Sequence, residues 1–204
     1  MKKIVLASKS PRRKELLEQI DIEYECIPAV GEEKISPAID EKLYEKYKDF
    51  PAGQVILLAV QKAKEVAGKV KGQIIVAADT VVELDGVVLG KPKDETHAVS
   101  MLKSLSGKKH YVHTGVCIIS QADNDTLADK MTYFAETTEV YFKELTDEEI
   151  TDYVATKEPM DKAGAYGIQG RAAAFIPKIK GDYNNVVGLP ISHLYDELKK
   201  ITEK

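Results

Sequence analysis

The stretch from Ile4 to Leu17, IVLASKSPRRKELL, most constrains the fold of this chain, because a strand signal runs through a short turn into a helix signal. Ile4–Leu6 is apolar and β-favouring, and Pro11 suits the first position of a helix, where a missing N–H costs nothing. Ser10 then falls at the N-cap position, where a serine hydroxyl is expected to cap the helix. A strand that leads directly into a helix is typical of α/β proteins.

The same stretch contains a candidate phosphate site. Ser8 and Ser10 place two hydroxyls in the turn, and Arg12 and Arg13 follow in the first helical turn. They lie beside backbone N–H groups without helical partners and at the positive end of the helix dipole. Such N–H groups and guanidiniums together bind phosphate oxygens. An ordinary strand–helix connection with two solvated arginines is the alternative, and this stretch alone does not decide between them.

The rest of the chain alternates strand and helix patterns, which predicts an α/β fold with a mixed twisted sheet and flanking helices. Strands are predicted at 23–27, 73–78, 111–120, 131–142 and 172–179, with a hairpin at 81–88 that turns at Asp85-Gly86. Helices are predicted at 42–49, 55–67 and 96–105, from Thr146 onward, and from about Ile191 onward, with loops at 121–129 and 181–188. The length of 204 residues fits a single domain over 1–204.

Composition argues against several classes of function. The net charge of -4 at pH 7 argues against general electrostatic binding to nucleic acid. Cys26 and Cys117 stand in apolar surroundings, so we expect buried thiols in a reduced, cytoplasmic protein. No signal peptide or membrane-spanning run is apparent. The four histidines lack metal-ligand spacing, and no serine lies in a nucleophile elbow, which disfavours a Ser-His triad.

Asp79 and Lys91 are two further candidates. Asp79, in VAADTVV, stands where an apolar strand is predicted to end, and beside a phosphate it could orient Mg²⁺ or accept a proton from water. A strand-end aspartate that caps the next turn is the alternative. Lys91, in LGKPK, suits a point charge for a phosphate, or is an ordinary solvated loop lysine. The stretch is not a P-loop, because the Gly86–Gly90 interval is one residue short and Pro92 replaces the Ser/Thr.

Gln169 and Glu33 complete the set. Gln169, in DKAGAYGIQG, carries a donor and an acceptor, enough to read a base edge with one carbonyl and one ring N–H. The glycines of this stretch do not fit the dinucleotide-binding pattern, but they would let backbone approach a ligand. Glu33, in the loop after the second predicted strand, could join Asp79 around Mg²⁺ or Mn²⁺. An exposed loop glutamine and a solvated acidic turn are the alternatives.

Seven blocks of sequence in register extend the argument to nearly the whole chain: LASKSPRRKELL, LLAVQKAKEV, ADTVV, GKPKD, LSGKKHYVHTGV, DKAGAYGIQG and GDYNNVVGLP. Together they resemble the Maf family of nucleoside triphosphate pyrophosphatases. The resemblance implies a fold similar to inosine triphosphatase-like pyrophosphatases, with two lobes around a central cleft. It also implies hydrolysis of a nucleoside triphosphate to the monophosphate and pyrophosphate, dependent on a divalent metal, Mg²⁺ or Mn²⁺.

The resemblance also assigns roles to single residues. The family's proton-accepting aspartate matches Asp79. Its basic and acidic site residues match Ser8, Arg12, Arg13, Glu33, Lys62 and Lys91. Arg12, Thr80 and Gln169 match the subgroup that resembles dTTP/UTP pyrophosphatases. The chain departs from the family pattern at 51–54, Pro-Ala-Gly-Gln, before the helix that carries Lys62.

Another class of function is left open by the sequence. The chain could act as a nucleotide-sensing regulator of cell division or septum formation that binds a protein partner. Nothing in the sequence marks a surface for such a partner. The family resemblance also makes a homodimer plausible.

Overall fold

The structure is a computed structural model that describes residues 3–31, 34–36, 39–121 and 130–202. The strands are β1 Ile4–Leu6, β2 Tyr24–Cys26, β3 Ile74–Leu84, β4 Val87–Leu89, β5 Lys109–Ser120, β6 Lys130–Tyr141 and β7 Lys178–Lys180. The α-helices are α1 Pro11–Glu18, α2 Glu41–Tyr47, α3 Pro51–Ala67, α4 Glu95–Leu105, α5 Asp147–Ala155, α6 Tyr183–Val187 and α7 Ile191–Thr202. Short 3₁₀ helices lie at Glu158–Asp161, Ala163–Ala165 and Arg171–Phe175.

The strands form one mixed sheet in the order β2-β1-β3-β5-β6-β7, and β4 pairs with β3. β1 runs parallel to β2 and β3, whereas β3, β5, β6 and β7 pair antiparallel. This architecture confirms the predicted α/β class with a mixed sheet and flanking helices. No helix in the described part of the chain is both long and apolar enough to span a membrane.

Successive residues of β3 alternate between the two faces of the sheet, and three apolar clusters cover them. On one face, Ile74, Val76 and Ala78 pack with α1 and α7, and this is the α1 cluster. Farther along the same face, Val82 and Leu84 pack with α4 and α5, and this is the α4 cluster. The opposite face packs against α2 and α3. One long strand therefore serves both clusters on the first face, with Thr80 between them.

The edge of β3 changes neighbour along its length. β1 pairs with β3 as far as Leu6 opposite Val76, and β4 pairs with it from Leu89 opposite Val82. Val76 and Val82 are six residues apart, roughly 20 Å along the strand. Because β1 is parallel to β3 and β4 is antiparallel, both approach this gap with their carboxyl ends. The loops after β1 and β4 therefore leave the sheet on either side of Asp79.

Asp79 does not stand at the end of a strand, and that prediction was wrong. It lies in the middle of an 11-residue strand, with Gly115 of β5 opposite it. The polar pair Asp79-Thr80 interrupts the apolar pattern, but antiparallel pairing with β5 continues past it through Thr80 and Thr114. The pairing of β3 with β1 ends shortly before Asp79, at Val76. No local sequence pattern indicates where a neighbouring strand stops.

Three other local predictions need correction. The predicted strand at 172–179 is mostly a 3₁₀ helix, Arg171–Phe175, and only Lys178–Lys180 pairs with β6. The predicted loop at 181–188 contains α6, which Asp182 caps by accepting from the Asn184 N–H at 2.7 Å. The connection at 51–54 is the first turn of α3, with proline at its start.

At α1 the prediction was right in position and wrong in detail. The helix begins at Pro11, and Ser10 is the N-cap residue with extended backbone, but its hydroxyl makes no capping hydrogen bond. The Ser10 N–H instead donates to Ser8 Oγ at 3.2 Å. At α5, by contrast, the Thr146–Glu149 capping box is complete, as its sequence pattern predicts. The Asp85-Gly86 turn also lies where predicted, between β3 and β4.

Candidate active site

Arg13 is held by three oxygen acceptors from three parts of the chain. Its Nε donates to the Gly188 carbonyl at 2.8 Å, and its two terminal nitrogens donate to Ser8 Oγ and Thr80 Oγ1, each at 3.1 Å. Three of the five N–H groups of the guanidinium make these bonds, so two others can face a ligand. The three acceptors fix the plane of the guanidinium, which suits bidentate recognition of a phosphate.

Thr80, which is partly buried, bonds both Arg13 and the buried hydroxyl of Thr114. Thr114 Oγ1 donates to the Asn185 carbonyl at 2.9 Å and lies 3.0 Å from Thr80 Oγ1. Because the Thr114 proton is committed to Asn185, the Thr80 hydroxyl must be the donor in the Thr80–Thr114 bond. Thr80 Oγ1 therefore presents lone pairs, not a proton, to Arg13. Thr80 thus supports the arginine, and its expected part in substrate binding stays a prediction.

Asp79 lies beside this arrangement and forms an ion pair with Lys62 through its Oδ1. The side chains of Lys62 and Asp79 are 20% and 16% exposed, so the pair is largely shielded from water without being sealed from it. Lys62 reaches Asp79 from α3, which packs against the sheet where Gly115 has no side chain: a Cβ there would lie 2.4 Å from the Val55 carbonyl oxygen. The close packing of α3 on β5 thus places Lys62.

The charges of Arg13, Asp79 and Arg12 affect one another. Desolvation lowers the pKa of the Arg13 guanidinium, the Asp79 carboxylate raises it, and the charge of Arg12 lowers it again. An arginine stays protonated in spite of such a shift. Asp79 and Thr80, which accepts from Arg13, are adjacent in β3, so two arginines and Lys62 surround this part of the strand with positive charge.

The first turn of α1 and the loop after β4 both contact the segment 161–170. A terminal nitrogen of Arg12 lies 3.3 Å from Asp161 Oδ2. The Gly164 N–H donates to the Gly90 carbonyl at 3.0 Å, and Lys91 is the next residue, exposed at the surface. Arg12 thus contacts this segment directly, and Lys91 follows the residue that contacts it.

Asp161 keeps its negative charge in this setting. Burial would raise its pKa, but the hydrogen bond and charge of Lys162 and the charge of Arg12 outweigh this and lower it. Asp161 therefore competes with any anionic ligand for the Arg12 guanidinium. Gln169 lies farther along the same segment, exposed, in a turn between two glycines.

Glu33 lies outside the described residues, and its proposed part in metal binding stays a prediction. Within the described ranges no group of three or more His, Cys, Asp or Glu side chains could hold a metal ion. Among the described residues, Asp79 is the carboxylate of β3 that could meet a cation carried by the substrate. That is sufficient for Mg²⁺, which commonly binds through one or two carboxylates together with substrate phosphates. The donor set thus fits a metal that arrives with the nucleotide.

Sequence reasoning missed Gly188, Thr114 and Asp161 as parts of this site. The Gly188 carbonyl is 175 positions from Arg13 in sequence, and no local pattern links them. Thr114 had a signal, since it is a polar residue that alternation places on the same face as the apolar Val112 and Val116. Asp161 begins the stretch DKAGAYGIQG, in which the sequence points to the glycines and to Gln169 but not to the aspartate.

The histidines and cysteines take no part in these contacts. Each histidine has a hydrogen-bond partner, as expected: His97 with Lys93 N–H, His110 with Tyr166, His113 with Glu83 and Thr137, His193 with Glu136. Cys117 is buried, and burial raises the pKa of its thiol to about 12. Cys26 is only partly buried, against the prediction, and its thiol donates to the Ser8 carbonyl at 3.0 Å.

Known proteins are similar to this chain over nearly its whole length. The family profile described as "Maf-like protein" matches residues 3–201. A dTTP/UTP pyrophosphatase of Carboxydothermus hydrogenoformans is 48% identical over 198 residues, which cover 97% of this chain and 98% of that protein. A dTTP/UTP pyrophosphatase of Bacillus cytotoxicus is 50% identical over 200 residues, which cover 98% of this chain and 96% of that protein.

A solved structure resembles the fold at much lower sequence identity. A HAM1 protein from Coxiella burnetii matches with a TM-score of 0.50 and 16% identity, and the match covers 98% of this chain and 100% of that one. At this identity the likeness concerns the fold alone. It agrees with the fold class predicted from the sequence.

Proposed function

This chain belongs to the Maf family, and from that premise we propose that it hydrolyses nucleoside triphosphates, above all dTTP and UTP, to the monophosphate and pyrophosphate. Membership confirms the resemblance noted in the sequence. The assignment of dTTP and UTP is supported by relatives of that name at 48% and 50% identity over nearly the whole chain. The activity fits a house-cleaning role in the nucleotide pool, and we propose a cytoplasmic location accordingly.

The observation that carries the proposal is that Arg13 and the Asp79–Lys62 pair meet at adjacent residues of β3, since Arg13 bonds Thr80 and Lys62 pairs with Asp79. A guanidinium fixed by three acceptors, with two N–H groups left for a ligand, thus accompanies a partly shielded carboxylate. The two groups match the two needs of phosphoanhydride hydrolysis, which are charge neutralisation on phosphate and activation of water.

In this proposal the triphosphate lies along the gap between β1 and β4. The Arg13 guanidinium and the first-turn N–H groups of α1 bind phosphate oxygens from one side. Lys91 contributes a point charge from the loop after β4. Arg12 exchanges its contact with Asp161 for a phosphate oxygen, which is the stronger anionic partner.

The chemical step needs a base that accepts a proton from the water that attacks the α-phosphorus. Lys62 contacts Oδ1 of Asp79, and Oδ2 would take the proton of the attacking water. The new bond joins the water oxygen to the α-phosphorus, and the bond that breaks joins that phosphorus to the oxygen bridging to the β-phosphorus. The pyrophosphate leaves with the electron pair of that bond. Positioning and charge neutralisation supply most of the acceleration.

A divalent cation is part of the proposal. Asp79, Glu33 and the phosphate oxygens of the substrate would hold Mg²⁺ or Mn²⁺. When bound, such an ion neutralises charge that develops on the leaving pyrophosphate. The residues described here bind and orient the triphosphate whether or not Glu33 joins them.

Base selection is assigned to Gln169. Its amide can pair with the carbonyl and ring N–H of uracil or thymine, which present both groups on one edge. Thr80 contributes indirectly, because its hydroxyl proton is committed to Thr114 and its lone pairs hold Arg13.

A panel of nucleoside triphosphates tests the proposal. Each of dTTP, UTP, dCTP, CTP, dGTP, GTP and dATP is incubated with the protein and Mg²⁺ or Mn²⁺, and products are separated by ion-exchange chromatography. We expect monophosphate and pyrophosphate in equal amounts, fastest from dTTP and UTP. Release of inorganic phosphate with a diphosphate product would refute cleavage at the α-phosphorus.

The same panel addresses the alternative of a cell-division regulator, which nothing in the comparisons supports. A sensor would bind a nucleotide tightly and turn none over with either metal. A homodimer stays a prediction, which light scattering of the purified protein would test.

A further inference from the structure

The turn that carries Gln169 is held at both ends by one pair of side chains. The Gly167 N–H donates to the Tyr153 hydroxyl oxygen at 3.3 Å, and the Arg171 N–H donates to Oε2 of Glu158 at 3.1 Å. The Tyr153 O–H donates in turn to Oε1 of Glu158 at 3.0 Å. Gln169 is the middle residue between the two anchored amides. We call Tyr153 and Glu158 the bracket.

The bracket is built on elements outside the turn. Tyr153 lies in α5, is only 2% exposed and packs edge-on against Phe175, with ring centroids 5.3 Å apart. Burial raises the pKa of Tyr153, so its hydroxyl keeps the proton that it donates to Glu158. Lys162 donates to the Glu158 carbonyl at 2.6 Å and fixes the backbone of the same residue. The turn is thus anchored to the apolar interior of the α4 cluster.

Two glycines make room for Glu158 of the bracket and for Lys162, which holds the Glu158 backbone. A Cβ on Gly170 would lie 1.9 Å from Oε1 of Glu158, and a Cβ on Gly167 would lie 2.6 Å from Cε of Lys162. The sequence suggested that glycines in this stretch let backbone approach a ligand. At these two positions the space is filled by the side chains of the protein itself. Glycine at 167 and 170 is therefore explained by the packing of Lys162 and Glu158 against the turn.

We propose that Tyr153 and Glu158 are positioning residues for base selection, which act by holding the turn so that Gln169 presents one fixed orientation to the base. The inference rests on the proposed function, in which Gln169 reads the base edge. Neither residue needs to touch the nucleotide. Their effect reaches the substrate through the backbone of 167–171.

The chemical reason is that an amide reads a base only while its donor and acceptor stay in place. Uracil presents a ring N–H beside a carbonyl, whereas cytosine presents an unprotonated ring nitrogen beside an amino group. A glutamine that can move or turn its amide over satisfies either pattern. Loosening the turn would therefore cost discrimination between UTP and CTP more than it costs turnover of UTP.

The test compares kcat and KM for UTP and CTP in matched variants. Tyr153→Phe removes one oxygen and keeps the buried ring, and Glu158→Ala removes the other half of the bracket. Each variant removes two of the bracket's hydrogen bonds, one of them shared. We expect each to lower the UTP/CTP ratio of kcat/KM by about three- to tenfold, the net effect of a typical hydrogen bond, because the substitution acts on the base only through the turn. The kcat for UTP should change by less than that factor.

Two further variants sharpen the test. Glu158→Gln keeps the shape and can still accept from the Arg171 N–H while donating to Tyr153, so it should retain most of the ratio. Tyr141→Phe is the matched control, because it removes a Tyr–Glu hydrogen bond of 2.6 Å on β6, away from the turn. It should lower thermal stability to a similar degree and leave the ratio unchanged.

The outcomes separate this inference from the proposed function. Wild-type protein that cleaves no triphosphate, or cleaves UTP and CTP equally well, would overturn the proposed base-selective hydrolysis and the inference with it. A selective wild type whose Gln169→Ala variant loses selectivity, while Tyr153→Phe and Glu158→Ala keep it, would overturn the inference alone. In that case the bracket would serve stability only, visible as a lower Tm.

Discussion

At the scale of single residues, Asp79 and Arg13 are both held by the protein before a substrate arrives. Lys62 occupies one oxygen of Asp79, and Ser8, Thr80 and the Gly188 carbonyl occupy three N–H groups of Arg13. Groups fixed in this way need little reorganisation in the transition state, where electrostatic stabilisation acts. Their substitution should therefore affect kcat more than the fold.

The sharpest residue-scale prediction concerns Asp79. Asp79→Asn keeps the size of the side chain and an oxygen for Lys62, but it removes the proton acceptor. We expect kcat to fall on the order of 10²–10⁴ with the fold intact, the usual contribution of a general base. Pyrophosphate release measured beside a circular dichroism melt would check this. Near-normal turnover in a folded variant would remove Asp79 from the catalytic role.

A second prediction for a single residue concerns His110 and the pH dependence of the free energy of unfolding. It is fully buried between Phe142 and Tyr166, and desolvation lowers its pKa from 6.5 to about 4, against a smaller opposite effect of the Lys108 backbone. Between those pH values the unfolded chain binds a proton that the folded protein does not. The free energy of unfolding should thus fall by about 3 kcal/mol as pH drops from 6.5 to 4.

Urea titrations at a series of pH values measure this effect. His110→Phe removes the titrating ring from the aromatic cluster, and its stability should depend less on pH over that interval. His97→Gln is the control, since it removes an imidazole from the surface of α4 and should keep the wild-type slope. An unchanged slope in His110→Phe would show that other groups cause the acid sensitivity.

At the scale of elements, the contact between α3 and β5 positions the Asp79–Lys62 pair, which we propose to be catalytic. Gly115 lets the α3 backbone lie against β5 opposite Asp79, and α3 carries Lys62. Gly115→Ala should push α3 outward, destabilise the protein by about 1–3 kcal/mol, and lower kcat by drawing Lys62 away from Asp79. Thermal melts and pyrophosphate release on the same preparation would measure both effects.

A glycine-to-alanine substitution at the end of α3 serves as the control. Gly68 ends α3 with φ of -67°, and an added Cβ would meet nothing closer than 3.6 Å. Gly68→Ala should therefore leave kcat unchanged and cost little stability. Equal losses in the two variants would show that any change on α3 disturbs the site, and the specific role of the Gly115 contact would be lost.

Helices and strands with local signals could be predicted from the sequence, whereas segments held by distant contacts could not. The β1–α1 unit and the capping box of α5 were predicted because their signals are local, namely Pro11 in one and Thr146 with Glu149 in the other. The pattern at 172–179 predicts a strand, yet Arg171–Phe175 is a 3₁₀ helix whose first N–H donates to Glu158, thirteen residues earlier in the chain. Contacts across the sequence decide such segments, and a local pattern does not contain them.

The same limit applies to the site. Two adjacent arginines look alike in sequence, yet Arg13 is held by three acceptors while Arg12 pairs with Asp161 at the surface. The family resemblance identified both, together with Lys62 and Asp79, but no spacing pairs Lys62 with Asp79. Which arginine is fixed and which is free to exchange partners follows only from the fold.

At the scale of the whole molecule, one sheet joins both clusters of the first face. β3 begins in the α1 cluster with Ile74 and ends in the α4 cluster with Leu84, and β5 contributes Val116 to the first and Val112 to the second. Neither cluster can lose its strands without exposing the other, so we predict one cooperative unfolding transition, as a single domain requires. Coincident near-UV and far-UV melts would support it, and two separate transitions would contradict it.

Nucleotide binding should then stabilise the entire molecule, because the proposed site is bordered by α1 from one cluster and by the segment 161–170 that packs on the other. A non-hydrolysable UTP analogue at a hundred times its Kd contributes about 2.7 kcal/mol to the free energy of unfolding. For a chain of this length that corresponds to a rise in Tm of roughly 5–10 °C. Arg13→Lys should lose most of the rise, since an ammonium cannot satisfy three fixed acceptors and a phosphate together. A full rise in Arg13→Lys, measured by differential scanning calorimetry, would place the triphosphate elsewhere on the protein.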